Sequence, residues 1–254
     1  MYIDTHCHLS KADYADVSAV IEDARQNKVE KLIVSGCDAL SIEESLQFGA
    51  QYSNVFLTLG YHPEVASLVK EDQLSDLEYL VRQNKKVVGI GEIGLDYHYG
   101  KANRSEQIRL FREQLELAVS LQLPVVIHSR DAVEDTIAIL SEYPVRGVIH
   151  CFSGSLETAK LYIQMGFKLG IGGVVTFTNA HLKEVVKAIA LSDLVLETDS
   201  PYLSPAPVRG QKNEPKNIPH IAEMISRLKR ISIEEVERVT TQTALSLFDL
   251  ERKV

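Results

Sequence analysis

Seven side chains able to hold a divalent cation stand at or just past the ends of short apolar runs: His6 and His8 in His6-Cys7-His8, then His62, Glu92, His128, His150 and Asp199. Imidazole and carboxylate together suit Zn, Mn, Fe or Mg, and a cation so held activates water for hydrolysis. Residues i and i+2 of a strand point to one side, so His6 and His8 face inward together and Cys7 faces away. Glu92, in Gly89-Ile90-Gly91-Glu92-Ile93-Gly94-Leu95-Asp96, offers two oxygens and is the better candidate to bridge two cations, against the plainer use as a solvated carboxylate at a strand end. The alternate glycines are expected to clear space for close ligand approach. No lysine replaces it, because Lys85 and Lys86 precede the run. Asp199, in Leu196-Glu197-Thr198-Asp199-Ser200-Pro201, can bind metal and take a proton from water. Glu197 shares its parity and lies deeper.

Each of these residues also has a plainer use. A lone histidine after an apolar run is commonly a hydrogen-bonded core residue, and Asp-Ser-Pro makes a turn cap. His62 precedes Pro63 and could mark only a rigid turn; in the functional reading it positions substrate or pairs with an anion. Arg130 could clamp an anion or pair with Asp131 or Glu134, and Arg209 could make a second anion contact. His98, His181 and His220 are read as surface or capping residues. Tyr97-His98-Tyr99 is read as packing, with base stacking as the alternative. Cys7, Cys37 and Cys151 are read as small packing residues.

Eight apolar runs must position these groups: Tyr2–Thr5, Lys31–Ser35, Val55–Leu59, Val87–Ile90, Val125–Ile127, Gly147–Ile149, Lys168–Ile171 and Leu194–Glu197. They are continuously apolar, as parallel strands covered on both faces are. Helix-period segments separate them. Ser105–Leu121 carries Ile108, Phe111, Leu115, Ala118 and Val119 on one stripe. Ser41-Ile42-Glu43-Glu44 has capping-box spacing, and Ser232 with Glu235 opens the last helix. Eight strands with helical crossovers predict one (β/α)8 TIM barrel over residues 1–254. An open doubly wound sheet is the alternative, but the first strand lacks a Gly-rich phosphate turn. In a closed barrel the carboxyl ends converge, and the seven candidate ligands meet in one cup.

Composition narrows the partners. With 27 Lys+Arg against 35 Asp+Glu the chain carries −8, so it has no broadly basic surface for nucleic acid or an anionic membrane. Glu92 and Asp199 carry −2, and two divalent cations would turn that centre positive. No apolar stretch reaches about 18 residues, so no membrane span is expected. Three cysteines make a disulfide framework improbable, and no secretory leader is visible. Nothing calls for an obligate protein partner.

The same residues resemble the TatD family of metal-dependent deoxyribonucleases in the amidohydrolase superfamily. The similarity is carried by Ile3-Asp4-Thr5-His6-Cys7-His8, Gly60-Tyr61-His62-Pro63, the Gly89–Asp96 segment and Val126-Ile127-His128-Ser129-Arg130. It continues through His150-Cys151-Phe152-Ser153-Gly154, Glu197-Thr198-Asp199-Ser200-Pro201-Tyr202, Arg209-Gly210 and Asn213-Glu214-Pro215. The resemblance implies a (β/α)8 barrel with two divalent metals (Mg, Mn or Zn). His6, His8, Glu92 and Asp199 would hold one, and Glu92, His128 and His150 the other. It implies a cytoplasmic enzyme that hydrolyses DNA phosphodiesters, trimming single-stranded DNA from the 3′ end. Asp199 would orient the attacking water and take its proton, Glu92 would bridge, and His62, Arg130 and Arg209 would bind substrate. Fold and ligands can serve other substrates, so hydrolysis of a small amide, ester or lactone is the alternative. A non-catalytic, metal-stabilised nucleic-acid-binding protein is a third reading. Two carboxylates and four histidines exceed the four ligands of a structural site and argue against it.

Overall fold

All eight apolar runs form strands, and each is followed by at least one helix in the computed structural model, which describes residues 1–251. The order is β1 (Tyr2–Cys7), α1 (Val17–Gln26), β2 (Val29–Gly36), α2 (Ala39–Gln51), β3 (Val55–Leu59), α3 (Glu71–Gln83), β4 (Val87–Asp96) and α4 (Arg104–Leu121). It continues β5 (Val125–Arg130), α5 (Val133–Leu140), β6 (Gly147–Ile149), α6 (Leu156–Gln164), β7 (Phe167–Ile171), α7 (Leu182–Ala188), β8 (Leu194–Leu196), α8 (Ile218–Lys229) and α9 (Ile233–Phe248). The strands are parallel and lie in sequence order, β1 to β8. Just beyond β8 the Asp199 N–H donates to the His6 carbonyl at 3.0 Å and the His8 N–H donates to the Ser200 carbonyl at 2.7 Å. These bonds bring the last strand round to the first. The fold is a (β/α)8 barrel, and the open-sheet alternative falls.

Two apolar layers hold it. Ile3, Ile33, Phe56, Val88, Val126, Val148 and Val195, one from each of seven strands, pack on Ala244, Leu247 and Phe248 of α9. The last helix therefore plugs the amino end of the barrel and leaves the carboxyl end open. The larger layer lies between strands and helices and includes Leu32, Leu57, Ile90, Phe111 and Leu169.

Local details differ from the expectations. β4 does not stop at Ile90 but runs to Asp96, with a register shift against β5 between Ile90 and Ile93. Glu92 thus lies within β4, and His128 within β5. A Cβ at Gly91 would lie 2.7 Å from the Val126 Cβ, and one at Gly94 would lie 2.0 Å from the His128 carbonyl oxygen. These glycines clear room for the neighbouring strand rather than for a ligand. α2 begins before Ser41: Asp38 accepts from the Ser41 N–H while the Ser41 hydroxyl covers the Asp38 N–H. Ser232 caps α9 as expected, accepting from the Glu235 N–H. The buried face of α4 includes Phe111, Leu115 and Ala118 but also takes in Gln107 and Gln114, while Ile108 and Val119 stand at its edge.

Candidate metal centre at the barrel mouth

The first group of candidate ligands comes from opposite ends of the chain. His6 and His8 place their Nε2 atoms 3.0 Å apart. Glu92 Oε2 lies 3.5 Å from the first and 3.6 Å from the second. Asp199 Oδ1 lies 3.8 and 3.6 Å from the same two nitrogens. A tetrahedral cation with bonds of ~2.0–2.2 Å has ligand–ligand edges of roughly 3.3–3.6 Å; His6, His8 and Glu92 form one group of ligand atoms close to that spacing, and His6, Asp199 and His150 form another. His8 turns its other nitrogen toward the Ser35 carbonyl at 3.3 Å, which aims Nε2 into the cup. Asp199 reaches this position through a left-handed backbone, φ 56°, which aspartate tolerates better than most residues.

The second group gathers on the other oxygen of Glu92. His128 Nδ1 lies 2.7 Å from Oε1, His150 Nε2 3.6 Å and His62 Nε2 3.8 Å. His150 Nε2 is also 3.6 Å from Asp199 Oδ1, so this imidazole stands between the two groups. Burial opposes ionisation of Glu92, but the His150 and His6 charges and its bonds to His128 and His6 hold it well below the usual carboxylate range. Asp199 is held down for similar reasons, chiefly by His150 and His8 against the cost of burial. His62 is pushed down to about 4 by burial. Its Nδ1 accepts from the Glu64 N–H at 3.3 Å, so the neutral ring carries its proton on Nε2 and points a donor into the cup.

Several supports were not read from sequence. Asp96 Oδ2 lies 2.8 Å from His128 Nε2, so both nitrogens of that ring face carboxylates. Burial opposes charge on His128, yet the bonds to Asp96 and Glu92 raise it to about 9. Gln107 of α4 caps the end of β4, accepting from the Asp96 N–H and donating to its carbonyl, both at 2.8 Å. Gln114 does the same for Tyr61, at 2.7 and 3.0 Å, and so fixes the turn that carries His62. Asp4, wholly buried and pushed up to about 8 by burial, accepts from the Thr198 N–H and hydroxyl and from the His6 N–H. It joins the first ligand strand to the last.

Glu197 does lie deep, wholly buried behind His150, with Oε1 3.0 Å from His150 Nδ1. That oxygen also accepts from the Cys151 N–H at 2.5 Å. The signal for it was its parity with Asp199. Space for it comes from β7: a Cβ at Gly170 would lie 2.2 Å from Glu197 Oε2. Cys37, expected only to pack, sets its thiol 3.6 Å from Glu92 Oε2. Cys7 does pack in the outer layer, and all three cysteines are free.

The cup opens into a cleft of 770 Å³ lined by His8, His62, Glu92, His128, His150 and Asp199 among others. Arg130 lines it too, with its guanidinium 5.8 Å from the Tyr99 ring centre rather than paired with Asp131, which takes His98. Arg209 is not in that lining; it stacks on Phe177 at 3.9 Å. Tyr97 packs, donating to Asp135 at 2.6 Å, whereas Tyr99 is 82% exposed. Asp13, Asp38, Glu44 and Glu64 also line the cleft. With Asp96 and Glu197 beside Glu92 and Asp199 the centre gathers four carboxylates rather than two, and the lip on the side of β1 to β3 is acidic as well. Among the described residues no helix is long and apolar enough to cross a membrane.

A closed barrel with imidazoles and carboxylates converging at the carboxyl ends of its strands defines a metal-dependent hydrolase site. The chain belongs to the family described as TatD related DNase, whose sequence profile matches residues 3–249. It is 42% identical to "Uncharacterized metal-dependent hydrolase YabD" of Bacillus subtilis, over 98% of this chain and 99% of that one. It is 34% identical to the Escherichia coli protein of the same description, YcfH, over 98% and 96%. The solved structure of YjjV, a TatD homolog from Escherichia coli K12, superposes with a TM-score of 0.91 at 31% identity, covering 98% of both chains.

Proposed function

We propose that this hydrolase cleaves DNA phosphodiester bonds, trimming single-stranded DNA from the 3′ end, with two divalent cations (Mg, Mn or Zn) at the cup. One observation carries the two-cation reading: the two oxygens of Glu92 face separate sets of imidazoles, His6 and His8 on one side, and His128, His150 and His62 on the other. His6, His8, Glu92 and Asp199 would hold one cation, and Glu92, His128 and His150 the other. Bound there, the cations supply Lewis acidity at the phosphate and lower the pKa of water toward neutrality.

The protein groups do the rest. Asp199 orients the attacking water and takes its proton on the carboxylate. The water oxygen bonds to phosphorus in line as the bond to the leaving sugar oxygen breaks. His62 donates from Nε2 to a phosphate oxygen, and Arg130 approaches the phosphate from the β5 side. Arg209 would contact the strand only farther out. The three free thiols accord with a reducing, cytoplasmic setting.

The acidic lip favours a second reading. Asp13, Asp38, Glu44 and Glu64 oppose a long polyanion on their side of the mouth, and a small ester, amide or lactone avoids that repulsion. End-labelled single-stranded DNA and RNA, incubated with Mg, Mn or Zn beside a panel of esters, amides and lactones, decide between them. Single nucleotides released from the 3′ end of DNA, lost on chelation and in folded Glu92→Ala, are expected. Turnover unchanged by chelation, or confined to the small substrates, would overturn the DNA reading.

A further inference from the structure

Seven large apolar side chains stand exposed among the described residues, and three of them, Leu40, Tyr99 and Tyr202, line the one cleft that holds the candidate centre. Single exposed apolar residues are ordinary on a protein surface, but clustering at a polar, cation-binding mouth is not. Tyr99 follows β4 and Tyr202 follows β8. In a ring ordered β1 to β8 these strands are four apart, so the two rings flank the mouth from opposite sides.

Tyr202 stands on a fixed backbone, and Tyr99 stands beside a cation. The Tyr202 N–H donates to the Asp199 carbonyl at 2.8 Å, and Asn213 Nδ2 donates to the Tyr202 carbonyl at 2.6 Å. The backbone is fixed while the ring is 61% exposed. Its centre lies 6.3 Å from that of His8, directly beside the first ligand group. Tyr99 has His98 at its edge, 4.9 Å between centres, and the Arg130 guanidinium over it. That arrangement sets an anion-binding group beside an aromatic face that is still open. Rigid, exposed tyrosines lose little conformational entropy when they take up a flat partner. The acidic side chains Asp13, Asp38, Glu44 and Glu64 lie after β1 to β3, and the cation that lines the cleft, Arg130, stands on the β4–β5 side next to Asp96.

We propose that Tyr99 and Tyr202 form a two-sided stacking clamp for unpaired nucleobases next to the scissile phosphate, with Arg130 holding a phosphate beside Tyr99. The ligand is a single strand, because a duplex offers no free base faces at its interior. This deepens and rests on the reading of the centre as a phosphodiesterase acting on nucleic acid. Base–aromatic stacking predicts a roughly 5- to 150-fold weakening per ring lost. Tyr99→Ala and Tyr202→Ala should raise KM for a short single-stranded DNA by that factor, while kcat changes less than about twofold. Tyr99→Phe and Tyr202→Phe should restore the wild-type value, since stacking needs the ring and not the hydroxyl.

The decisive substrate is the same oligonucleotide with abasic residues in place of its last two 3′ nucleotides. Wild-type enzyme should lose affinity for it by a similar factor, and the alanine variants should lose little more. Binding followed by fluorescence anisotropy, without turnover, separates the two claims. Hydrolysis with equal KM on both strands and in all variants sinks the clamp alone. Base-dependent binding that the tyrosine variants abolish, with no hydrolysis under any metal, upholds the clamp and sinks the phosphodiesterase reading. Neither binding nor hydrolysis sinks both.

Discussion

Gly170→Ala tests whether the space behind His150 is reserved for Glu197. The added Cβ would stand 2.2 Å from Glu197 Oε2 and 2.6 Å from its Cδ. Glu197 is wholly buried and cannot swing into solvent, so the carboxylate must be pushed off its bond to the Cys151 N–H. Overpacking of this kind costs about 1–3 kcal/mol. Leaving the Cys151 N–H without its acceptor adds about 1–3 kcal/mol. The sum, about 2–6 kcal/mol, lowers Tm by roughly 5–20 °C in a chain of this length. Differential scanning calorimetry measures it. The informative control is the same substitution in a Glu197→Ala background, where the colliding carboxylate is gone. There both contributions are already absent, so the cost of Gly170→Ala should shrink by most of those roughly 2–6 kcal/mol. Affinity for Mn or Zn, by titration calorimetry, should fall about 10- to 100-fold in Gly170→Ala, because His150 loses the carboxylate that orients it. Equal destabilisation in both backgrounds would refute the reasoning, since the strain would then lie elsewhere in β7.

Glu92→Gln should leave the barrel folded but lower bound metal at both groups together, read by elemental analysis after gel filtration; loss of one equivalent with the other intact contradicts a bridging role. Gln114→Leu strips partners from the buried N–H and carbonyl of Tyr61, at a cost of about 2–5 kcal/mol in chemical denaturation and with a fall in kcat/KM through His62; an unchanged denaturation midpoint counts against it. Asp135 is held down to about 2 by its bonds to Arg104 and Tyr97. A lowered acid stabilises the fold above its ordinary pKa and loses that contribution as pH falls through its folded value. Asp135→Asn should therefore lower Tm at pH 7 by about 2–4 °C, the scale of an exposed pair worth at most about 1 kcal/mol. The gap should narrow from about pH 4 and close below about pH 2, and a gap at pH 2 as large as at pH 7 rejects the ion-pair account.

The barrel and the candidate ligands were legible because both follow from short-range rules. Continuous apolar runs mark covered parallel strands, and His, Glu or Asp interrupting such runs stands out against them. What sequence missed depends on partners distant in the chain. Gln107 and Gln114 carry no mark in the sequence that sets them apart from other helix residues; their amides bond the backbone of Asp96 and Tyr61, which only the fold brings near. The glycines around Glu92 were assigned to ligand access, but their constraint comes from Val126 and His128 on a strand some thirty residues later. Ser41 has cap spacing with Glu44, yet Asp38 precedes it and makes the box instead. The separate fates of Tyr97 and Tyr99 turn on Asp135, which binds one hydroxyl and leaves the other ring outside.

The bond between the Asp199 N–H and the His6 carbonyl ties together residues 193 positions apart. At roughly 5–20 residues per second of synthesis, His6 and His8 wait about 10–40 s before their partner aspartate exists. Through that interval the nascent chain displays an imidazole pair that Glu92 can join only partway along and that Asp199 has yet to complete, so the first ligand set stays unfinished. Tight metal capture thus becomes a late event that reports closure of the ring. A chain stopped short of β8 would emerge without a working centre rather than with a premature one.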